Sequence, residues 1–319
     1  MKNIVVSFKV DDQQKKLIES SLKNADVKFL KDYDETRYLN LLEDADALLA
    51  WNPSRELKTI KLNSLTNTKF VQLLSAGYDH IDFGMFPAGC KIASNNGAYA
   101  EPMAEHILAM ILALAKKLLI NHKKLSEGEF NQLGLNISIK NSIVGILGFG
   151  GIRKAVAKLL RPFSSKIYAL NSSGKTKERV EFIGTLHDLK FILKNSDIVI
   201  VSLPLIDETK NLIGKKELEL MKPNAILVNV ARGQIINESD LYAHLKTHPE
   251  FYVGIDAWWV EPFTKGEFKL NFPFFNLSNV LGSPHNSAIV PGSLTEGLKC
   301  AIENINLYLN NKKPKHIIN

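Results

Sequence analysis

The sequence predicts an α/β protein with two doubly wound parallel sheets, one domain inserted into the other. Three observations lead there. Short apolar, β-branched runs alternate with stretches of helical spacing from the first residues onward. A Gly-rich turn of dinucleotide-binding type, Val144-Gly-Ile-Leu-Gly148-Phe-Gly150-Gly-Ile-Arg153, begins only after a complete α/β unit has gone by. The last helical stretch, 294–309, has no strand of its own to cover.

The elements follow in order. Residues 4–8 are apolar and β-rich, 11–23 have helical spacing, and 27–30 read as a short strand. A helix is expected at 37–42 and a buried strand at 46–51, Asp-Ala-Leu-Leu-Ala-Trp ending at Trp51. The run 70–74 ends in Ser75-Ala76-Gly77, a strand followed by a turn. Asn95-Asn96-Gly97 breaks this βαβ rhythm. A long helix then starts near Glu101, with Pro102 in its first turn, where a missing N–H is tolerated. Strands of a second series are expected at 142–147, 166–170, 197–202, 225–229, 252–255 and 280–282. Their near-continuous apolar character suits strands covered on both faces. The economical arrangement is a Rossmann cofactor domain, 98–290, inserted into a flavodoxin-like substrate domain, 1–97 and 291–319. Crossings would fall near 97–101 and 287–291. The active site is expected in the cleft between domains, at the carboxyl ends of the strands.

Composition narrows the function. Apolar content of 45% and charged content of 23% are ordinary for a globular chain. The formal charge of +7 is spread over scattered lysines rather than gathered in a block, which argues against a nucleic-acid partner but favours approach of small anions. The most apolar helical stretch, 103–120, is interrupted by Glu105, His106, Lys116 and Lys117, so it reads as a buried helix and not a membrane span. The first residues read as a strand rather than a signal peptide. Two cysteines, Cys90 and Cys300, demand no disulfide, and no Cys/His spacing suggests a metal. A cytoplasmic enzyme is expected.

Gly148 would make the tight turn, and Gly150 would let the backbone approach a pyrophosphate at the helix N-terminus. Arg153 stands where a third glycine is usual. At the end of the next strand an NAD-binding protein usually carries an acid for the ribose hydroxyls. Here Asn171-Ser172-Ser173-Gly-Lys175 has none. Asn171 does not repel a 2′-phosphate, Ser172 and Ser173 donate, and Lys175 is a cation. NADP is therefore expected in preference to NAD.

Three further segments carry chemistry: Val-Asn-Val-Ala-Arg232-Gly, Asp256-Ala-Trp-Trp-Val-Glu261-Pro and Ser-Pro-His285. An Arg grips a carboxylate bidentately. A His exchanges a proton near neutral pH, and an acid beside it fixes the tautomer and favours the charged ring. With Ser75-Ala-Gly-Tyr-Asp-His-Ile-Asp, Asn96-Gly-Ala-Tyr-Ala-Glu-Pro-Met-Ala-Glu105 and Leu203-Pro204-Leu-Ile-Asp-Glu-Thr209, these motifs make the chain resemble the D-2-hydroxyacid dehydrogenases, the group that includes glyoxylate/hydroxypyruvate reductases and phosphoglycerate dehydrogenase. The likeness runs from about residue 70; earlier residues match in fold rhythm only.

The resemblance implies that Arg232 binds the substrate carboxylate, that His285 exchanges a proton with the carbonyl oxygen, and that Glu261 holds His285. It implies that Ser75, Ala76 and Gly77 offer amides to the carboxylate. Cofactor contacts would come from Gly148, Phe149, Gly150, Gly151, Ile152, Leu203, Pro204, Thr209, Val230, Ala231, Asp256 and His285. It also implies a small 2-oxoacid or D-2-hydroxyacid as substrate, and a homodimer packed through the long helix. His80 receives no role and His106 reads as packing. Trp258 and Trp259 could wall a pocket or pack at the domain seam. A dinucleotide-sensing corepressor of the same fold and a formate- or phosphite-type dehydrogenase remain as alternatives.

Overall fold

A computed structural model describes residues 1–58 and 65–319, with Arg153 described through its backbone alone. The chain runs β1 (Lys2–Val6), α1 (Asp12–Ser21), β2 (Ala25–Phe29), α2 (Tyr38–Glu43), β3 (Ala47–Ala50), α3 (Pro53–Glu56), β4 (Phe70–Leu73) and β5 (Lys91–Ala93). It continues through α4 (Ala100–Ala115), α5 (Leu118–Ser126), β6 (Ile143–Leu147), α6 (Arg153–Leu160), β7 (Lys166–Leu170), β8 (Phe182–Gly184), α7 (Leu189–Asn195) and β9 (Ile198–Val201). There follow α8 (Lys215–Leu220), β10 (Ile226–Asn229), α9 (Glu238–Thr247), β11 (Tyr252–Ile255), α10 (Pro262–Lys265), β12 (Val280–Gly282) and α11 (Ser293–Leu309). Contacts divide the chain into two units, Met1–Tyr99 with Val290–Asn319, and Ala100–Ile289.

In the first unit a parallel five-stranded sheet has the order β2-β1-β3-β4-β5, the flavodoxin-like order. Strand periodicity sends alternate residues to opposite faces. Ile4, Val6, Leu49 and Phe70 pack with Ile18, Leu298, Ile302 and Ile305, the inner sides of α1 and α11. Val5, Leu48, Ala50 and Val71 face Leu30, Tyr38, Leu42 and Ile92 on the other side. Both faces are covered, which is why the central strand β3, Ala-Leu-Leu-Ala, is wholly apolar, whereas the edge strand β2, Ala-Asp-Val-Lys-Phe, alternates.

The second unit holds a seven-stranded parallel sheet, β12-β11-β10-β9-β6-β7-β8. This is the Rossmann order with one added strand, reversing between β6 and β9. Leu147, Leu170, Val199, Leu227 and Val253 face one apolar layer. Val144, Ile146, Ile167, Ile200 and Val228 face another, with Ile107, Met110 and Ile111 of α4.

The strands read from the sequence are all present. The three-residue strands β5 and β8 leave no readable period. The apolar stretch 103–120 is not one buried helix: α4 ends at Ala115, and Lys117 turns left-handed (φ 50°). Leu118 and Leu119 beyond it are more than half exposed. No helix of the described residues is long and apolar enough to cross a membrane.

Candidate active site

The glycine turn follows β6, at the point where the strand order reverses. Gly148 has φ +96°, and a Cβ there would lie 2.6 Å from Ser202 O and 2.7 Å from Leu203 N. Only glycine lets the ends of β6 and β9 touch in this way. The Gly148 and Phe149 amides donate to Leu170 O at 3.2 and 2.6 Å, and Gly150 N donates to Gly148 O at 2.7 Å. The Phe149 side chain is buried under the turn, packed in the layer of Ala155 and Val156. Gly150 is exposed, and Gly151 and Ile152 are partly so at the entrance to α6. Thr209 is buried, its Oγ1 donating to Pro204 O (2.6 Å) and accepting from Ile206 N (2.9 Å). It thus shapes the loop after β9 from within. The side chains of Leu203, Val230 and Ala231 are buried as well.

After β7, Asn171 closes its own loop. Its Nδ2 donates to Lys175 O (2.8 Å), and its Oδ1 accepts from Ser173 N (3.0 Å) and Ser173 Oγ (3.1 Å). Ser172, Ser173 and Lys175 are exposed on this loop, as are Lys177 and Arg179 just beyond it. The sequence reading overlooked those last two cations because no motif singles them out.

Arg232, Glu261 and His285 lie at the carboxyl ends of β10, β11 and β12, and local constraints tie their segments together. A Cβ on Gly233 would fall 2.4 Å from the Trp258 carbonyl carbon and 2.5 Å from Trp259 N. The Arg232 turn therefore lies directly on the Trp258–Trp259 backbone. Gln234 Nε2 donates to Trp259 O (3.1 Å) and Trp259 Nε1 to Ile236 O (2.7 Å). Both tryptophans are buried within this unit, Trp259 stacked on Phe274 with centroids 5.4 Å apart. Arg232 is half-buried, and its Nη1 donates to Ala231 O at 2.7 Å.

Glu261 is 8% exposed and precedes Pro262 at the start of α10. Its Oε1 accepts from Trp258 N at 2.6 Å. His285 Nδ1 lies 2.9 Å from Oε1 and 2.8 Å from Oε2. An ionised carboxylate only accepts, so Nδ1 carries a hydrogen. His285 itself has φ +52°, a left-handed conformation that costs a non-glycine residue roughly 1–3 kcal/mol. Asp256 holds it there. This wholly buried carboxylate accepts from Ser283 Oγ (2.6 Å), Asn286 N (3.2 Å) and Ser287 N (3.4 Å). The two amides belong to the residues that follow His285.

In the first unit, Ser75 O accepts from Asn95 N at 2.9 Å and Ser75 Oγ donates to Trp51 O at 3.5 Å. Ala76 is exposed, and Ser75 and Gly77 are partly so. The loop after β3 is fixed by Glu56, which sequence reasoning did not single out. Its carboxylate accepts from Ser7 Oγ (2.6 Å), Asn52 N (2.6 Å) and Trp51 N (3.2 Å), while burial pushes its pKa upward.

The profile of the D-isomer specific 2-hydroxyacid dehydrogenases, NAD binding domain, matches residues 108–287, more than half of the chain. The chain belongs to this family. The glyoxylate reductase of Pyrococcus furiosus is 30% identical over 258 residues, 78% of this chain and 75% of that one. The glyoxylate reductase of Aeropyrum pernix is 29% identical over 314 residues, 95% and 92% of the two chains. Among solved structures, a glycerate dehydrogenase related protein from Thermoplasma acidophilum superposes with a TM-score of 0.63 at 27% identity, over 96% of this chain and 99% of that one.

Proposed function

We propose that the chain is a cytoplasmic, NAD(P)H-dependent reductase of small 2-oxoacids, glyoxylate or hydroxypyruvate among them, and the matching D-2-hydroxyacid dehydrogenase in reverse. The observation that carries this reading is the buried Glu261 bonded to His285 Nδ1, on a scaffold that ties its segment to the Arg232 turn. Arg232 takes the substrate carboxylate, aided by the amides of Ser75, Ala76 and Gly77. His285 gives the proton on Nε2 to the carbonyl oxygen, and Glu261 stabilises the charged ring and holds its orientation. A bound nicotinamide supplies the hydride. Gly150, Gly151 and the start of α6 suit its pyrophosphate, and Asp256 lies on the nicotinamide side. Free thiols at Cys90 and Cys300 suit a reducing compartment. Initial rates for glyoxylate, hydroxypyruvate, pyruvate and phenylpyruvate, each with NADH and NADPH, test the assignment. Turnover confined to formate or phosphite, or cofactor binding with no turnover, would displace it.

NADPH is the preferred cofactor in this reading. No acid stands at the end of β7 to repel a 2′-phosphate, and Ser172, Ser173 and Lys175 are exposed donors. Asn171→Asp keeps the acceptor side of the loop turn and loses the bond to Lys175 O. The new carboxylate then repels the 2′-phosphate and accepts from ribose hydroxyls. The ratio of kcat/KM for NADPH over NADH at low salt is expected to exceed one in the parent and to fall in Asn171→Asp. A parent that favours NADH several-fold defeats the assignment.

The working form is a homodimer. Leu118, Leu119 and Leu125 on α5, with Phe130, Leu133 and Leu135 after it, are each at least half exposed, apolar surface of the kind a second subunit would cover. Light scattering is expected to give twice the chain mass, and Leu133→Asp with Leu135→Asp to lower it. A monomeric parent rules the dimer out.

A further inference from the structure

One polar side chain beside the site has no part in the reaction described so far. His106 projects from α4, a helix whose inner side is otherwise apolar: Ala104, Ile107, Met110, Ile111 and Leu114. Its Nε2 lies 2.9 Å from Ser283 Oγ and 3.7 Å from Asp256 Oδ1. A half-buried imidazole among apolar neighbours is costly unless its polar atoms are matched.

The direction of the bonds follows from counting protons. Ser283 has one hydroxyl hydrogen. Its Oγ sits 2.6 Å from Asp256 Oδ1, the length of a hydroxyl donating to an ionised carboxylate. That hydrogen is therefore committed to Asp256, and Ser283 Oγ can only accept from His106. So Nε2 of His106 carries a hydrogen, and the chain runs His106 Nε2–H to Ser283 Oγ–H to Asp256 Oδ1. The same Oδ1 accepts from Asn286 N at 3.2 Å. It is thus one end of the clamp on the left-handed His285.

We propose that His106 is a positioning residue for hydride transfer: by donating to Ser283 it fixes the hydroxyl on Asp256, and through Asp256 the backbone that presents His285. This rests on the functional reading above. Without the His106 donor, the Ser283 hydroxyl is free to rotate and Asp256 loses a directed partner. His285 can then relax toward an ordinary φ, and its ring leaves the attack geometry while Arg232 still holds substrate.

The test uses the full chain with His106→Leu, His106→Gln, Ser283→Ala and the His106→Leu/Ser283→Ala pair. Glutamine can place its amide nitrogen near the position of Nε2. A hydrogen bond between neutral groups, such as that from His106 to the Ser283 hydroxyl, is worth a rate factor of up to roughly tenfold. His106→Leu is expected to lower kcat for 2-oxoacid reduction by about that factor, with KM changing less than about twofold. His106→Gln should recover most of the loss. The double variant should match the weaker single variant rather than multiply the two losses. Independently of turnover, the imidazole ¹⁵N signals of His285, assigned by their loss in His285→Ala, should shift in His106→Leu and stay near the parent position in His106→Gln. Should His106→Leu fail to fold, His106→Asn, one bond too short, replaces it. A parental kcat in His106→Leu, equal losses in the leucine and glutamine variants, multiplying losses, or unmoved His285 signals would each overturn the proposal. A parent that reduces no 2-oxoacid overturns the functional reading instead, and the His285 signals still decide this one.

Discussion

His285→Ala is expected to lose about 10³-fold in kcat for 2-oxoacid reduction, within the roughly 10²- to 10⁴-fold range of a positioned acid–base group. Affinity for NADPH should stay near that of the parent. Steady-state rates and a cofactor fluorescence titration measure the two together. A variant within tenfold of the parent would remove His285 from the chemistry. Glu261→Gln separates the partner from the proton donor. Reduction needs a proton on Nε2, and the carboxylate holds the ring in the tautomer and orientation that present it. The amide disturbs both, so kcat for 2-oxoacid reduction should fall. If its oxygen keeps the Trp258 N–H, its NH₂ turns toward His285 Nδ1–H, donor against donor, and the ring is pushed to the other tautomer. A parental kcat in Glu261→Gln would argue against the pair.

How far the sequence revealed these features depended on whether the signal was local. Ile198–Val201 is wholly apolar and Ile226–Asn229 is apolar up to its last residue because helices cover both faces, so their runs stand out. Lys91–Ala93 and Phe182–Gly184 are three residues long and sit at sheet edges, too short for any period to show. The break at Lys117 was hidden because a lysine says nothing about φ, and the apolar stretch continued past it. At the site, Arg232, Glu261 and His285 were legible because each lies inside its own motif. Their support was not. Asp256 reaches Asn286 across 30 positions and His106 reaches Ser283 across 177. Such pairings exist only after the sheet has set the strand order. Asn171 shows the opposite error: a residue read for a ligand proves also to close its own loop.

Arg232→Lys is the second large effect, although it keeps the charge. Arginine has five N–H donors in a planar fork. One of them, on Nη1, donates to Ala231 O at 2.7 Å, which helps to set the plane of the guanidinium. Lysine offers one nitrogen on a flexible stem. It can satisfy the Ala231 carbonyl or meet a carboxylate, but it cannot hold both oxygens of that carboxylate in one plane. Substrate would bind more weakly, and what binds would present its carbonyl to His285 over a wider range of angles. We expect kcat/KM to fall by about 10²-fold, or about 2.7 kcal/mol of transition-state stabilisation. The loss should divide between a higher KM and a lower kcat, because the same fork both grips and aims. The close approach of Gly233 to the Trp258–Trp259 backbone, which seats this turn, is left in place by the substitution. Retention of parental kcat/KM by Arg232→Lys on every active 2-oxoacid would show that another group takes the carboxylate.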